Sequence, residues 1–193
     1  DSITLTKADP VLGTITTDFT GRDCLLTWEH TEDKDFVKYQ IKVYSDASRT
    51  ALIRTENLAS PPYIYSFEHN KSDNSGTPIR HPYFTITKLT TLAQNAAQNC
   101  DAANAAPSAP ADLTLTAGTG KLFITWTAIA ENDIVSYNVY AKTTSPSNTL
   151  VGNITGTNFT FDPEGENTYY VTVAGVDPFG EGTKCSEETQ TTN

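Results

Sequence analysis

Methionine is absent from these 193 residues, and the chain opens abruptly on Asp1. The expectation is a piece excised from a longer polypeptide. Long apolar runs are missing as well. No stretch approaches the roughly 20 residues that a membrane-spanning helix needs, and neither a signal-peptide core nor a basic amphipathic helix can be found. Positive charge is scarce, with 13 Lys and Arg against 23 Asp and Glu and a net charge of −10. Divided after residue 106, the first part holds ten basic against thirteen acidic residues, and the second three against ten. A chain without a basic stripe cannot displace counterions from phosphates, which disfavours nucleic acid as a partner. Cysteine is limited to Cys24, Cys100 and Cys185, an odd number at spacings that fit no zinc pattern. A soluble acidic module with three reduced thiols, assembled in a reducing compartment, is the expectation.

What is present is a repeat. Cys24-Leu25-Leu26-Thr27-Trp28 is followed by a polar loop from Glu29 to Asp35 and then by Phe36 to Tyr44, which includes Tyr39. Leu122-Phe123-Ile124-Thr125-Trp126 is followed by a loop ending at Asp133 and by Ile134 to Tyr140, which includes Tyr137. Each copy is an alternating strand that ends in Trp, an acidic loop, and a second alternating strand that carries Tyr. The offset between copies is that of a domain rather than of a solenoid repeat. Domains are therefore expected at 1–106 and 107–193, each large enough to bury its own core. Cys24 stands where the second copy has Leu122, so it reads as a small core residue.

Abundant Thr, Val, Ile, Tyr and Phe favour strands. In the second copy, turn signals divide the chain into strands at 112–116, 121–127, 135–142, 149–154, 158–161, 168–176 and 183–189. Seven short strands without a helical pattern point to an all-β sandwich. Residues 92–106 are rich in Ala, Gln and Asn but have almost nothing apolar to bury except Ala. They align with the last turn and strand of the second copy and are read as such, and residues 101–110 form the boundary.

Pro110-Ala111-Asp112-Leu113-Thr114-Leu115, Ile124-Thr125-Trp126, Ser136-Tyr137-Asn138-Val139-Tyr140 and the run from Tyr169 to Asp177 resemble fibronectin type III domains. The resemblance implies two tandem immunoglobulin-like β-sandwiches. It implies that Trp28 and Trp126 fill the two cores beside Tyr39 and Tyr137, and that Tyr169 bonds back to the backbone at a corner. The first copy departs from that pattern. Pro82 stands at its tyrosine-corner position, Thr91-Leu92-Ala93-Gln94 replaces an Asp-x-Phe-Gly turn, and roughly eleven extra residues lie between its third and sixth strands. Those residues include the run from Tyr63 to Gly76 and Pro78 to Arg80. Together with Val37 to Ile41, Ala51 to Thr55 and Asp177-Pro178-Phe179-Gly180, they are similar to a segment of the host-specificity tip proteins of long-tailed phages. That similarity implies a non-catalytic structural or interaction module at a virion tail tip, assembled in the host cytoplasm. Its partners would be other tail-tip subunits or domains of the same polypeptide, and a bacterial surface receptor. The alternative is an accessory spacer or binding module of a secreted or surface-bound bacterial carbohydrate-active enzyme or adhesin.

Within the extra segment, Tyr63, Tyr65 and Phe67 alternate, which predicts three rings on one strand face. Asn70 to Pro78 is expected as an extended surface hairpin or loop, with Asn70, Lys71, Asp73, Asn74 and Gly76 as the candidate interaction residues. No catalytic, cofactor or metal site is expected. His30, His69 and His81 are scattered and read as surface or edge residues, and no Gly-x-Ser-x-Gly elbow is present. Asp73-Asn74-Ser75-Gly76 and Glu131-Asn132-Asp133 lack the alternating acidic ligands of a calcium loop and read as turns. The acidic loops at 29–35 and 131–133 read as solvated, and the sequons at Asn70, Asn153 and Asn158 are expected to carry no glycan.

Overall fold

The computed structural model describes residues 12–30 and 34–192. The chain divides into two compact units, residues 1–104 and 105–193. The first contains β1 (Ile15–Asp18), β2 (Cys24–Trp28), β3 (Phe36–Tyr44), β4 (Leu52–Leu58), β5 (Tyr63–Tyr65), α1 (Phe67–Asp73), β6 (Tyr83–Thr90) and β7 (Gln98–Asp101). Its sheets run β1-β2-β5 and β4-β3-β6-β7, antiparallel throughout.

The second unit contains β8 (Ala111–Gly118), β9 (Lys121–Thr127), β10 (Ser136–Lys142), β11 (Leu150–Ile154), β12 (Asn158–Phe161), β13 (Thr168–Asp177), β14 (Gly180–Lys184) and β15 (Glu188–Thr191). Its sheets run β12-β9-β8 and β11-β10-β13-β14, with β15 also paired to β13. In each unit, three strands in the order first, second, fifth face four or more built on the third and sixth. That is the strand arrangement of a fibronectin type III-like sandwich.

Alternation explains why these segments are strands. In β9, Leu122, Ile124 and Trp126 are buried while Lys121, Phe123, Thr125 and Thr127 face outward. In β3, Tyr39, Ile41 and Val43 are fully buried. The core of the second unit joins Leu122, Ile124 and Trp126 to Tyr137, Val139, Tyr169, Val171 and Val173. The Trp–Tyr pairs meet edge to face, Trp28 with Tyr39 at 5.2 Å between ring centroids and Trp126 with Tyr137 at 5.5 Å. The Tyr39 hydroxyl lies 3.0 Å from Nδ1 of His30, and the Tyr137 hydroxyl accepts the Ile129 N–H at 2.9 Å. The Tyr169 hydroxyl accepts the Glu164 N–H at 3.0 Å, a bond back to the backbone five residues upstream. Pro82, at the matching place in the first unit, is buried.

Two expectations about strands are corrected. The last strand of the second unit is not continuous over 183–189. β14 pairs with the upper end of β13, β15 pairs with Thr168–Val171, and the chain breaks between them at residues 185–187. There Glu187 turns aside, its carboxylate receiving the Ser145 hydroxyl at 2.7 Å and the Ser147 N–H. The second correction concerns the aromatic strand at residue 63. It ends at Tyr65, and Phe67 starts a helix.

Near the boundary, each unit holds its own end of the chain. Asn104 donates to the carbonyls of Phe19 and Gly21 and holds Nη1 of Arg80. Pro107 accepts the Thr183 N–H at 3.0 Å, and the Ser108 N–H is received by Glu131. Glu131 is held below the usual carboxylate range by these Ser108 hydrogen bonds, so the acidic loop here anchors backbone.

Candidate functional site

The segment proposed for interaction folds as α1 and the turn after it. Ser66 caps the helix by accepting the His69 N–H at 3.2 Å, and Asp23 receives the Phe67 N–H at 2.8 Å. Glu68 lies in the first turn and Lys71 in the last, each suited to the helix dipole there. Arg22 stacks over the Phe67 ring at 4.7 Å and pairs with Glu68 at 2.9 Å, which fixes the start of the helix to the loop after β1. The period-two pattern therefore breaks at Ser66, where capping wins over continuation of the strand.

The five candidate residues separate into two groups. Asn70 is 1% exposed and its amide is fully engaged: Nδ2 donates to the Ile79 carbonyl and Oδ1 accepts the Ile79 N–H, both at 2.8 Å. The sequon at Asn70 is therefore buried. Asp73 is gripped by Arg54 and accepts the Tyr65 hydroxyl at 3.0 Å. Burial and the Asp73 carboxylate push the Tyr65 hydroxyl well above its usual range. Asn74 closes the helix by donating from its side chain and backbone to the Asn70 carbonyl. Ser75 and Gly76 then reverse the chain at φ +56° and +92°. Lys71 and Gly76 alone among the five are exposed, and with Glu68, His69 and Ser72 they form the outward surface.

So this segment is not an extended hairpin or loop. It is a short helix locked underneath and bare on top. Little in the sequence marks Arg54 as a site residue, yet it anchors the helix. Its signal was faint, an arginine placed opposite Val43 on a strand whose face turns inward.

A second polar cluster lies on the outer face of the large sheet in the second unit. Glu181 accepts from both the Asn138 amide and the Tyr140 hydroxyl, and Lys184 Nζ sits 3.5 Å from the Tyr140 ring centroid. Burial and Glu181 push the Tyr140 hydroxyl up to about 12. These groups satisfy one another. His30 faces the Tyr39 ring, His81 stacks on Tyr83 at 4.5 Å and bonds Asp101, and His69 lies on α1, so the three histidines do not converge. Among the described residues no three His, Cys, Asp or Glu side chains group as metal ligands do. No helix among them is long and apolar enough to cross a membrane. Of the acidic loop at 29–35, residues 31–33 lie outside the described residues, as do residues 1–11 of the first domain.

No family model and no curated protein matches the chain. Several solved structures are similar. The FN1–FN3 domains of chicken CNTN1 are 11% identical with a TM-score of 0.45, covering 96% of this chain and 68% of that one. A segment of two fibronectin type III domains from chicken tenascin is 13% identical with a TM-score of 0.45, covering 93% and 98%. An Fn3-like protein from Clostridium thermocellum is 27% identical with a TM-score of 0.41, covering 46% and 96%. The fibronectin type III-like assignment rests on the strand order of each unit.

Proposed function

We propose that the chain is a non-catalytic structural and interaction segment of a phage or prophage tail-tip protein, with its first unit supplying the contact surface. The feature that supports this reading is α1. A plain spacer sandwich has no use for a helix between its fifth and sixth strands. Here that insertion is clamped to two strands and a loop, and it carries Glu68, His69, Lys71 and Ser72 outward on a rigid base. Rigid presentation lowers the ordering cost of binding a neighbouring subunit or a bacterial surface receptor.

The test is a variant of the parent protein with Glu68→Lys, His69→Ala, Lys71→Glu and Ser72→Ala. The variant gives up the exposed Arg22–Glu68 pair and the dipole match of Glu68 and Lys71, surface interactions worth under about 1 kcal/mol each, so the segment should stay folded with its melting temperature lowered by only a few degrees. Particle assembly or attachment to host cells should fall by an order of magnitude or more. Particles that assemble and attach normally would remove the role given to this surface.

A further inference from the structure

Two of the three cysteines belong to the same unit and come from opposite sheets. Cys24 opens β2 and lies directly opposite Tyr65 of β5, while Cys100 in β7 lies directly opposite Phe84 of β6. Directly opposed residues of an antiparallel pair project to the same face. Cys24, Tyr65 and Phe84 are all buried, so both cysteines start on the interior faces of their sheets. The Tyr65 and Phe84 rings meet edge to face at 6.0 Å. The row Cys24–Tyr65 of one sheet is therefore stacked on the row Phe84–Cys100 of the other.

The two sheets also close on each other at this side. The Thr17 hydroxyl of β1 donates to the carbonyl of Asp101, the residue after Cys100 in β7, at 3.1 Å, and Thr17 lies opposite Leu26, two residues along β2 from Cys24. Burial pushes the Cys24 thiol up to about 12, with the neighbouring Cys100 thiol and Asp18 carboxylate adding to the rise. Cys185 lies in the other unit and its sulfur accepts the Val173 N–H at 3.2 Å. All three are thiols in this structure.

We propose that Cys24 and Cys100 form an intramolecular disulfide across the core of the first unit when the chain meets an oxidising thiol–disulfide couple. The oxidant is a small-molecule disulfide such as oxidised glutathione. The Cys100 thiol, the more exposed of the two, loses its proton and attacks one sulfur of that disulfide, forming a mixed disulfide and releasing the first thiolate. Cys24, deprotonated in turn, attacks Cys100 Sγ, and the second glutathione thiolate leaves. Two protein thiols are oxidised, one small disulfide is reduced, and the two protons end on the two released thiols. Because burial raises both thiols, exchange in the native state is slow. The bond closes most of the first unit in one covalent loop and so restricts its unfolded chain.

The experiment uses the full chain. One sample is incubated natively with a glutathione redox buffer in mildly alkaline solution, and another is refolded from denaturant in the same buffer. Both are then quenched, alkylated under denaturing conditions and mapped by mass spectrometry. The expected result is a fall from three alkylatable thiols to one, at Cys185, and a cross-linked peptide containing Cys24 and Cys100 in at least the refolded sample. Cys185→Ser should leave that cross-link intact, whereas Cys24→Ala and Cys100→Ser should each abolish it while keeping the unit folded by circular dichroism. Loss of the cross-link on reduction should lower the melting temperature of the first unit by several degrees. Three thiols retained in both samples would overturn the proposal. A stable glutathione adduct on Cys100 with Cys24 still alkylatable, or pairing that involves Cys185, would do so equally.

Discussion

Arg54, in the middle of β4, holds Asp73 at the end of α1 through two parallel bonds, Nε at 2.7 Å and Nη2 at 2.8 Å. Its third nitrogen, Nη1, donates to Glu56 at 2.7 Å. The two side chains are only 19% and 11% exposed, so each is the main compensation for the other's burial. Removing one partner strands the other, which costs several kcal/mol for a buried pair and less here because water still reaches the rim. Asp73→Ala and Arg54→Ala should each destabilise the first unit by about 2–3 kcal/mol. Arg54→Lys should recover only part of that loss, since an ammonium cannot make the two-pronged contact. Hydrogen exchange of the α1 amides is the readout, and protection equal to wild type in Arg54→Ala would show that the helix does not depend on this clamp.

The deletion of Lys71 to Thr77 should also be harmful, because it removes Asp73 and the end of the helix. A loss of about 2 kcal/mol or more in chemical denaturation is expected, as for severing a buried ion pair. Unchanged stability would mean that the segment is a detachable loop after all.

Trp126 offers a sharper test of packing. Its indole nitrogen has no hydrogen-bond partner among the described residues, and the same holds for Trp28. The ring contributes through area and its edge contact with Tyr137. Trp126→Ala should cost about 3–5 kcal/mol and largely unfold the second unit. Trp126→Phe should cost about 1–2 kcal/mol, because an aromatic ring is retained and no polar bond is lost. Equal losses for the two substitutions, measured by calorimetry, would contradict that account.

The turn after β3 predicts a pH dependence. Asp46 receives the Ser48 hydroxyl and the N–H groups of Thr50 and Ala51, at 3.0 and 2.6 Å to Oδ1. These bonds, led by that from Ser48, hold its carboxyl below the usual 3.8. A lowered folded-state value stabilises the fold at pH above 3.8 and loses that stability as pH falls through the folded value. Melting temperature of the first unit should therefore decline on acidification below about pH 4, and Asp46→Asn should flatten that part of the profile. An unaltered acid slope in Asp46→Asn would rule out this turn as its source.

Gly182 is required by close approach. A Cβ there would sit 2.2 Å from the Pro107 carbonyl oxygen, the same oxygen that accepts the Thr183 N–H. Gly182→Ala should displace the segment at Pro107 and cost about 1–3 kcal/mol, the range of overpacking. Retention of a protected Thr183 amide in the variant would show that the segment can yield without loss.

Much of the sandwich was legible because its strands bury one face. In β9 every second residue from Leu122 to Trp126 is apolar and inward, and the expected span of 121–127 matches the observed strand. The helix was not legible. Seven residues carry too little propensity to form a helix alone. Its partners Arg54 and Asp23 are 19 and 44 positions away from the residues they hold, beyond the reach of any periodic pattern. Exposure along this segment is hidden from the sequence for the same reason. Asn70 and Asp73 have the composition of a solvated turn, and only tertiary contacts reveal that they face inward. The break at residues 185–187 likewise depends on Glu187 reaching Ser145 and Ser147 some forty residues back.

The matched tryptophans have an optical consequence. The chain holds two indoles, one in each unit, and both are buried against a tyrosine. Replacing either by Phe leaves a single emitter whose fluorescence belongs to the other unit. Two such variants divide the unfolding of a tandem chain into its separate halves without an added dye, so a change in one sandwich can be assigned to it while its neighbour stays silent.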